Sequence, residues 1–335
     1  MAIVNRKRQN LSLSLTSSAK LDTLAARLGK PKARIFDKAV DILYEREEQN
    51  MEQTHHLVTL ACATNKGGAG KTTTSAAFAD ILAKRGSRVL VIDTDPQGNL
   101  SSRFGYDPTN LYEDYLGKLL RDRLDIIIEN GVPVHQPIER FIHESKGHPR
   151  VDIIFSDIRL DNDYKILSGS TNGMGAFVFK TIVEEIRKLD RYDYVVFDTR
   201  PSLNNEVGSV FIATDYVIIP VPLAKDAVYG ADATMRFIIG CKAANERLHL
   251  LGIFLTKVSQ RTKTAHEVAP FVKQNWAKYL FKTEIPRSQD AVNAENKSEP
   301  VTSVFANKKL AKRYELLVDE ALERIANGGV EDGDI

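Results

Sequence analysis

The chain has two cysteines and one tryptophan in 335 residues, and almost no excess charge: 46 Lys and Arg oppose 44 Asp and Glu, a net +2. Cys62 and Cys241 stand far apart with no metal-ligand spacing, which excludes a cysteine-held iron–sulfur cluster and reads as two buried small residues in a reducing cytoplasm. His55 and His56 have no further ligands at zincin spacing and read as solvated linker histidines. No apolar run approaches the length of a membrane span, and the N-terminus is basic and polar, unlike a signal peptide. A cytoplasmic protein with no membrane partner is therefore expected. Composition is that of a soluble globular protein, 43% apolar and 27% charged, long enough for one large or two ordinary domains. Total charge is uninformative about partners, but its distribution is uneven. Arg6, Lys7, Arg8, Lys20, Arg27, Lys30, Lys32, Arg34 and Lys38 crowd the N-terminus against only Asp22 and Asp37, whereas 331–335 is acidic.

What is present centres on residues 57–74. Leu57 to Ala63 reads as a buried strand, Asn65 to Gly70 as a glycine-rich loop, and Lys71-Thr72-Thr73 opens a helix over Thr74 to Lys84. Strand, loop and helix N-terminus make a phosphate cradle. Small residues let backbone N–H groups turn inward, the helix dipole favours an anion, and Lys71 adds a full charge. Thr72 stands where a hydroxyl ligates Mg2+. The general pattern asks for Gly at position 65, where this chain has Asn, and a second lysine, Lys66, begins the loop. Two more apolar strands end in carboxylates: Arg88 to Ile92 runs into Asp93-Thr94-Asp95-Pro96-Gln97-Gly98-Asn99, and Tyr194 to Phe197 into Asp198. Ligands bind at such strand ends in an α/β sheet.

These three stretches together resemble the ParA/MinD family of deviant Walker A ATPases, over about residues 57–325. The resemblance implies a parallel-sheet α/β P-loop domain that binds ATP and Mg2+ and hydrolyses ATP slowly. Lys66, Gly67, Gly68, Ala69, Gly70, Lys71, Thr72 and Thr73 would hold the phosphates, with Lys66 reaching across a homodimer to the partner's nucleotide. Asp95 would position or activate the attacking water, so Lys66, Lys71 and Asp95 are the catalytic candidates. Thr72, Asp93 and Asp198 are the metal candidates. Pro222 and Asp226 fall where relatives place a Pro-x-x-x-Asp loop near the base or dimer face. Thr256 replaces an Asn that often reads adenine, and Arg200 replaces the first Pro of Asp-x-Pro-Pro, directed to solvent or the partner subunit.

Residues 1–48 form a separate module, followed by a charged linker at 49–56 and the ATPase domain at 57–335. In 9–16, Leu11, Leu13 and Leu15 alternate with Asn10, Ser12 and Ser14, as in a strand. Ser17 or Ser18 caps a helix running to Leu28, Gly29 stops it, and a second helix spans about Lys32 to Arg46. A lone strand needs a partner, which a second copy would supply. The module resembles a ribbon-helix-helix DNA-binding domain. That implies base reading by Asn10, Ser12 and Ser14 with Arg8, and a phosphate grip by Lys30 and Lys32.

Elsewhere, Leu111 to Leu120 reads as a helix, 129–149 as loop-rich, Val151 to Phe155 as a strand, Gly169 to Gly175 as a flexible connection, and Phe177 to Leu189 as a helix. Tyr216 to Val221 and Leu250 to Leu255 are strands, and Leu310 to Ile325 is an amphipathic helix. Lys308, Lys309, Lys312 and Arg313 at its start are a solvated face or a sequence-neutral DNA contact. The functional expectation is a DNA partition ATPase, nucleoid-associated and stimulated by a centromere-binding partner, that represses its own operon through the N-terminal module. The alternatives are a MinD-like membrane-positioning ATPase and an ATP-gated repressor. The acidic end disfavours the membrane reading, and the missing cluster cysteines exclude a nitrogenase-type reductase.

Overall fold

The computed structural model describes residues 22–23, 25–36, 57–128, 135–169, 173–259, 268, 270–272 and 274–329. The chain divides into two compact units, Met1–Thr54 and His55–Ile335. In the first, residues 25–28 and 32–36 are helical on either side of Gly29, whose φ of 61° is the left-handed value that glycine adopts without steric cost. Lys32 pairs with Asp22. The expected strand at 9–16 lies outside the described residues.

Among the described residues, the second unit is built on seven strands: β1 (Val58–Cys62), β2 (Val89–Asp93), β3 (His143–Glu144), β4 (Val151–Ile154), β5 (Tyr194–Asp198), β6 (Tyr216–Pro222) and β7 (His249–Thr256). Their order is β3-β4-β2-β5-β1-β6-β7, all parallel except β3. Parallel strands need helical crossovers, and both sheet faces are covered. One face carries α1 (Lys71–Lys84), α2 (Asn99–Arg103), α8 (Gln289–Asn296), α9 (Val301–Val304) and α10 (Lys309–Ala326). The other carries α3 (Leu116–Ile128), α4 (Leu160–Gly169), α5 (Val178–Lys188), α6 (Asn205–Ile212) and α7 (Lys225–Lys242). The strands alternate between the two cores. Val89 and Val91 face α1 while Leu90 and Ile92 face the other layer. Each such buried side chain contributes about 1.5–3 kcal/mol of transfer free energy.

The structure departs from the sequence expectations in places. α1 starts at Lys71 rather than Thr74, directly after Gly70 with φ 95°. The helix expected from Leu111 starts at Leu116. Tyr112 turns its ring onto Phe155, with centroids 4.8 Å apart, and its carbonyl accepts from Arg159, so residues 111–115 stay in a loop. The stretch expected as loop holds the short antiparallel edge strand β3. Gly169 ends α4 and residues 174–177 form a 3-10 turn, so part of the expected flexible connection is ordered.

Candidate functional site

Three neighbouring strands end in one row. Cys62 of β1 and Asp93 of β2 both stand opposite Asp198 of β5. The loop from β1 to α1 rises beside this row, at the point where the sheet order reverses. Gly68 has φ 67° and Gly70 φ 95°, left-handed conformations that free glycines to turn their amides inward. Nothing lies within 4 Å of a β-carbon placed on Gly67 or Gly70, so the loop is open at both glycines. It faces a cavity of about 850 Å³ lined by Gly68 to Thr73, Asp95, Pro222, Leu223, Thr256, Lys257 and Arg287.

Lys71 is buried beneath this loop, and its Nζ approaches the Lys66 carbonyl oxygen at 3.4 Å. Burial lowers its pKa, against the opposing field of Asp198. The Asp198 carboxylate accepts from Thr72 Oγ1 at 2.7 Å and Ser75 Oγ at 3.1 Å. Burial raises its pKa, a shift that the Thr72 hydrogen bond and the charge of Lys71 reduce. A threonine hydroxyl against a carboxylate, beside an open anion cradle, is an oxygen donor pair suited to a hard divalent cation.

Asp93 is placed behind this pair. Its Oδ2 accepts from the Ser101 amide and hydroxyl, each at 2.7 Å, and its Oδ1 from the Asp95 amide at 3.2 Å. Burial, together with the nearby Asp198, raises its pKa. Its visible work is to anchor the loop that carries Asp95. Asp95 itself is half-buried and lines the cavity, with Oδ1 accepting the Gln97 amide at 3.0 Å and its carbonyl accepting Ser156 Oγ at 2.8 Å.

Lys66 is held differently. Its ammonium pairs with Asp226 of the same chain, both side chains remaining well exposed, and this pairing lowers the Asp226 pKa. Arg200 bonds Asp161 Oδ1 at 3.1 Å on α4, so it is engaged within its own chain. Of the remaining expected residues, Thr73 and Pro222 line the cavity. Lys30 directly follows Gly29 and Lys32 opens the helical stretch 32–36 of the first unit, and Arg8, Asn10, Ser12 and Ser14 lie outside the described residues.

Three further residues shape the site: Ser101 and Lys257, which the sequence did not flag, and Thr256, which it marked only as standing where relatives often carry an adenine-reading Asn. Ser101 locks Asp93, and its Oγ also accepts the Ser156 amide at 2.9 Å. Thr256, buried at the end of β7, donates its hydroxyl to the Ala69 carbonyl at 3.0 Å and so pins the cradle to the sheet. Lys257 follows it with φ 51° and brings Nζ within 3.9 Å of where a β-carbon on Gly68 would stand. A polar residue at the C-terminal end of an apolar strand was the available signal for Thr256; Ser101 and Lys257 had none.

Among the described residues no cluster of His, Cys, Asp and Glu forms a metal site, and no helix is long and apolar enough to cross a membrane. Residues 58–250 match the family model described as AAA domain. The chromosome partitioning protein ParA of Caulobacter vibrioides is 29% identical over 273 residues, spanning 80% of this chain and 95% of that one. The apo McdA structure from Cyanothece aligns with a TM-score of 0.66 at 24% identity, over 80% of this chain and 100% of that one. Cobyrinic acid a,c-diamide synthase from Mycobacterium smegmatis, solved with an ATP analogue and magnesium, aligns at 0.64 and 24% identity, over 82% and 98%. The two structural likenesses establish the fold.

Proposed function

This chain belongs to the AAA-domain family, and from that membership we propose that it is a DNA partition ATPase working as an ATP-sandwiched homodimer. The site takes ATP with Mg2+. The observation that carries the reading is the convergence of an open glycine loop, a buried Lys71, the Thr72–Asp198 pair and Asp95 on one cavity. Relatives named as partition proteins favour segregation over another use of the fold.

The residues divide the work. The loop amides of 67–70 and the N-terminus of α1 receive phosphate oxygens, and Lys71 neutralises them in a site where water screens little. Thr72 and Asp198 hold the cation. Mg2+, when bound, withdraws charge from the triphosphate oxygens. Asp95, fixed through its amide and carbonyl, orients the attacking water from the open side. Lys66 leaves Asp226 and crosses to the partner's phosphates, because two anionic nucleotides brought face to face repel unless lysines from both subunits neutralise them. ATP thus drives pairing and hydrolysis releases it. Turnover is slow until a centromere-binding partner protein stimulates it.

DNA is engaged at two places. The 1–48 module recognises a specific operator or centromere and represses its own operon, and the dimeric ATPase domain holds nucleoid DNA without sequence preference. Titration of the full chain with ATP and Mg2+ tests the site. Lys71→Ala is expected to abolish binding, and binding at parental strength in that variant refutes the assignment.

A further inference from the structure

We propose that Lys257 is a second nucleotide-binding lysine contributed by the same chain, its ammonium taking a phosphate oxygen above Gly68. The proposal rests on the reading of the loop as an ATP site and adds a ligand to it. Lys257 is a non-glycine residue in the left-handed region, an uncommon and costly conformation for a long side chain. Its neighbours hold it there. The Thr256 hydroxyl bonds the Ala69 carbonyl on one side. On the other, the Val258 amide bonds the Ile285 carbonyl and the Val258 carbonyl accepts the Arg287 amide, both at 3.1 Å. This clamp aims the side chain over the loop, with Nζ 3.9 Å from the position of a Gly68 β-carbon. The side chain lines the cavity, and among the described residues no carboxylate pairs with it.

The lysine at the other end of the loop is in the opposite condition: Lys66 is tied to Asp226. Before any second subunit arrives, Lys71 from below and Lys257 from the cavity wall are therefore already positioned for a phosphate chain. A charge-assisted hydrogen bond of this kind is worth about 10- to 100-fold in affinity.

The test is calorimetric titration of the full chain with ATP and with ADP, each with Mg2+. Lys257→Ala and Lys257→Gly are expected to weaken nucleotide binding about 10- to 100-fold, and Lys257→Arg to retain most of it. Glycine relieves the left-handed backbone, so Lys257→Gly is expected to raise the apo melting temperature while lowering affinity, opposite movements that a purely structural role would not produce. Parental affinity in Lys257→Ala or Lys257→Gly, alongside a Lys71→Ala variant that no longer binds, overturns the role of Lys257 alone. A parent chain with no nucleotide affinity overturns the site reading and this proposal together.

Discussion

Replacing Thr256 by valine removes one hydroxyl and keeps the shape of the side chain. In the structure that hydroxyl supplies a hydrogen bond to the Ala69 carbonyl, between two residues that are both almost fully buried. Water cannot replace it there. The cost of leaving a buried acceptor without its donor is about 1–3 kcal/mol. For a domain of this size that corresponds to a melting temperature roughly 2–8 °C lower. Ala69 lies inside the cradle, so part of the same free energy is lost from nucleotide binding, up to about 100-fold in Kd. Thr256→Ser keeps the donor and serves as the control. Thermal melts and nucleotide titrations of the three chains read both effects. A Thr256→Val chain that melts and binds as the parent does would show that β7 does not shape the cradle.

Asp95→Ala is expected to bind ATP and pair normally but to hydrolyse at a small fraction of the parental rate, read by phosphate release; a parental rate assigns the water to another group. Asp80, buried in α1, accepts from Lys84 and Ser303 at 2.7 Å each, and from Thr302 and His148. Burial alone would raise its pKa, but these hydrogen bonds bring it from 3.8 to about 2. The depressed value stabilises the fold by about 2 kcal/mol above pH 3.8, a contribution lost as pH falls through 2. Asp80→Asn should therefore be less stable than the parent to urea at pH 7 and converge with it in acid; a pH-independent gap contradicts this. Deleting residues 1–48 should abolish sequence-selective DNA binding while ATP hydrolysis persists, and equal selectivity in the truncated chain removes the module from recognition.

Much of this architecture was legible in the sequence because a parallel sheet buried on both faces leaves unbroken apolar runs. β1, β2, β4, β5, β6 and β7 each announce themselves so, and the carboxylates Asp93 and Asp198 stand out because they end such runs. β3 did not, since His143–Glu144 is two polar residues at an edge, formed only because β4 offers it a ladder. Strand order was also hidden: β5 enters between β1 and β2, and only this brings Asp198 opposite both Cys62 and Asp93. At the site, the glycines, Lys71 and Thr72 belong to a local motif and could be read directly. Ser101, Thr256 and Lys257 act on groups that the fold brings near from elsewhere in the chain. Thr256 meets Ala69 across 187 residues, a distance no local pattern spans. The engagement of Lys66 by Asp226 and of Arg200 by Asp161 was equally invisible, because each pairing depends on where a distant helix packs.

In the proposed homodimer, lysines from two chains hold the nucleotide between them. Light scattering of the full chain with a non-hydrolysable ATP analogue and Mg2+ measures it most directly. The parent is expected to double in mass while Lys66→Ala binds the analogue and stays a monomer. A parent that binds the analogue without doubling, or a Lys66→Ala chain that doubles as readily, would contradict it.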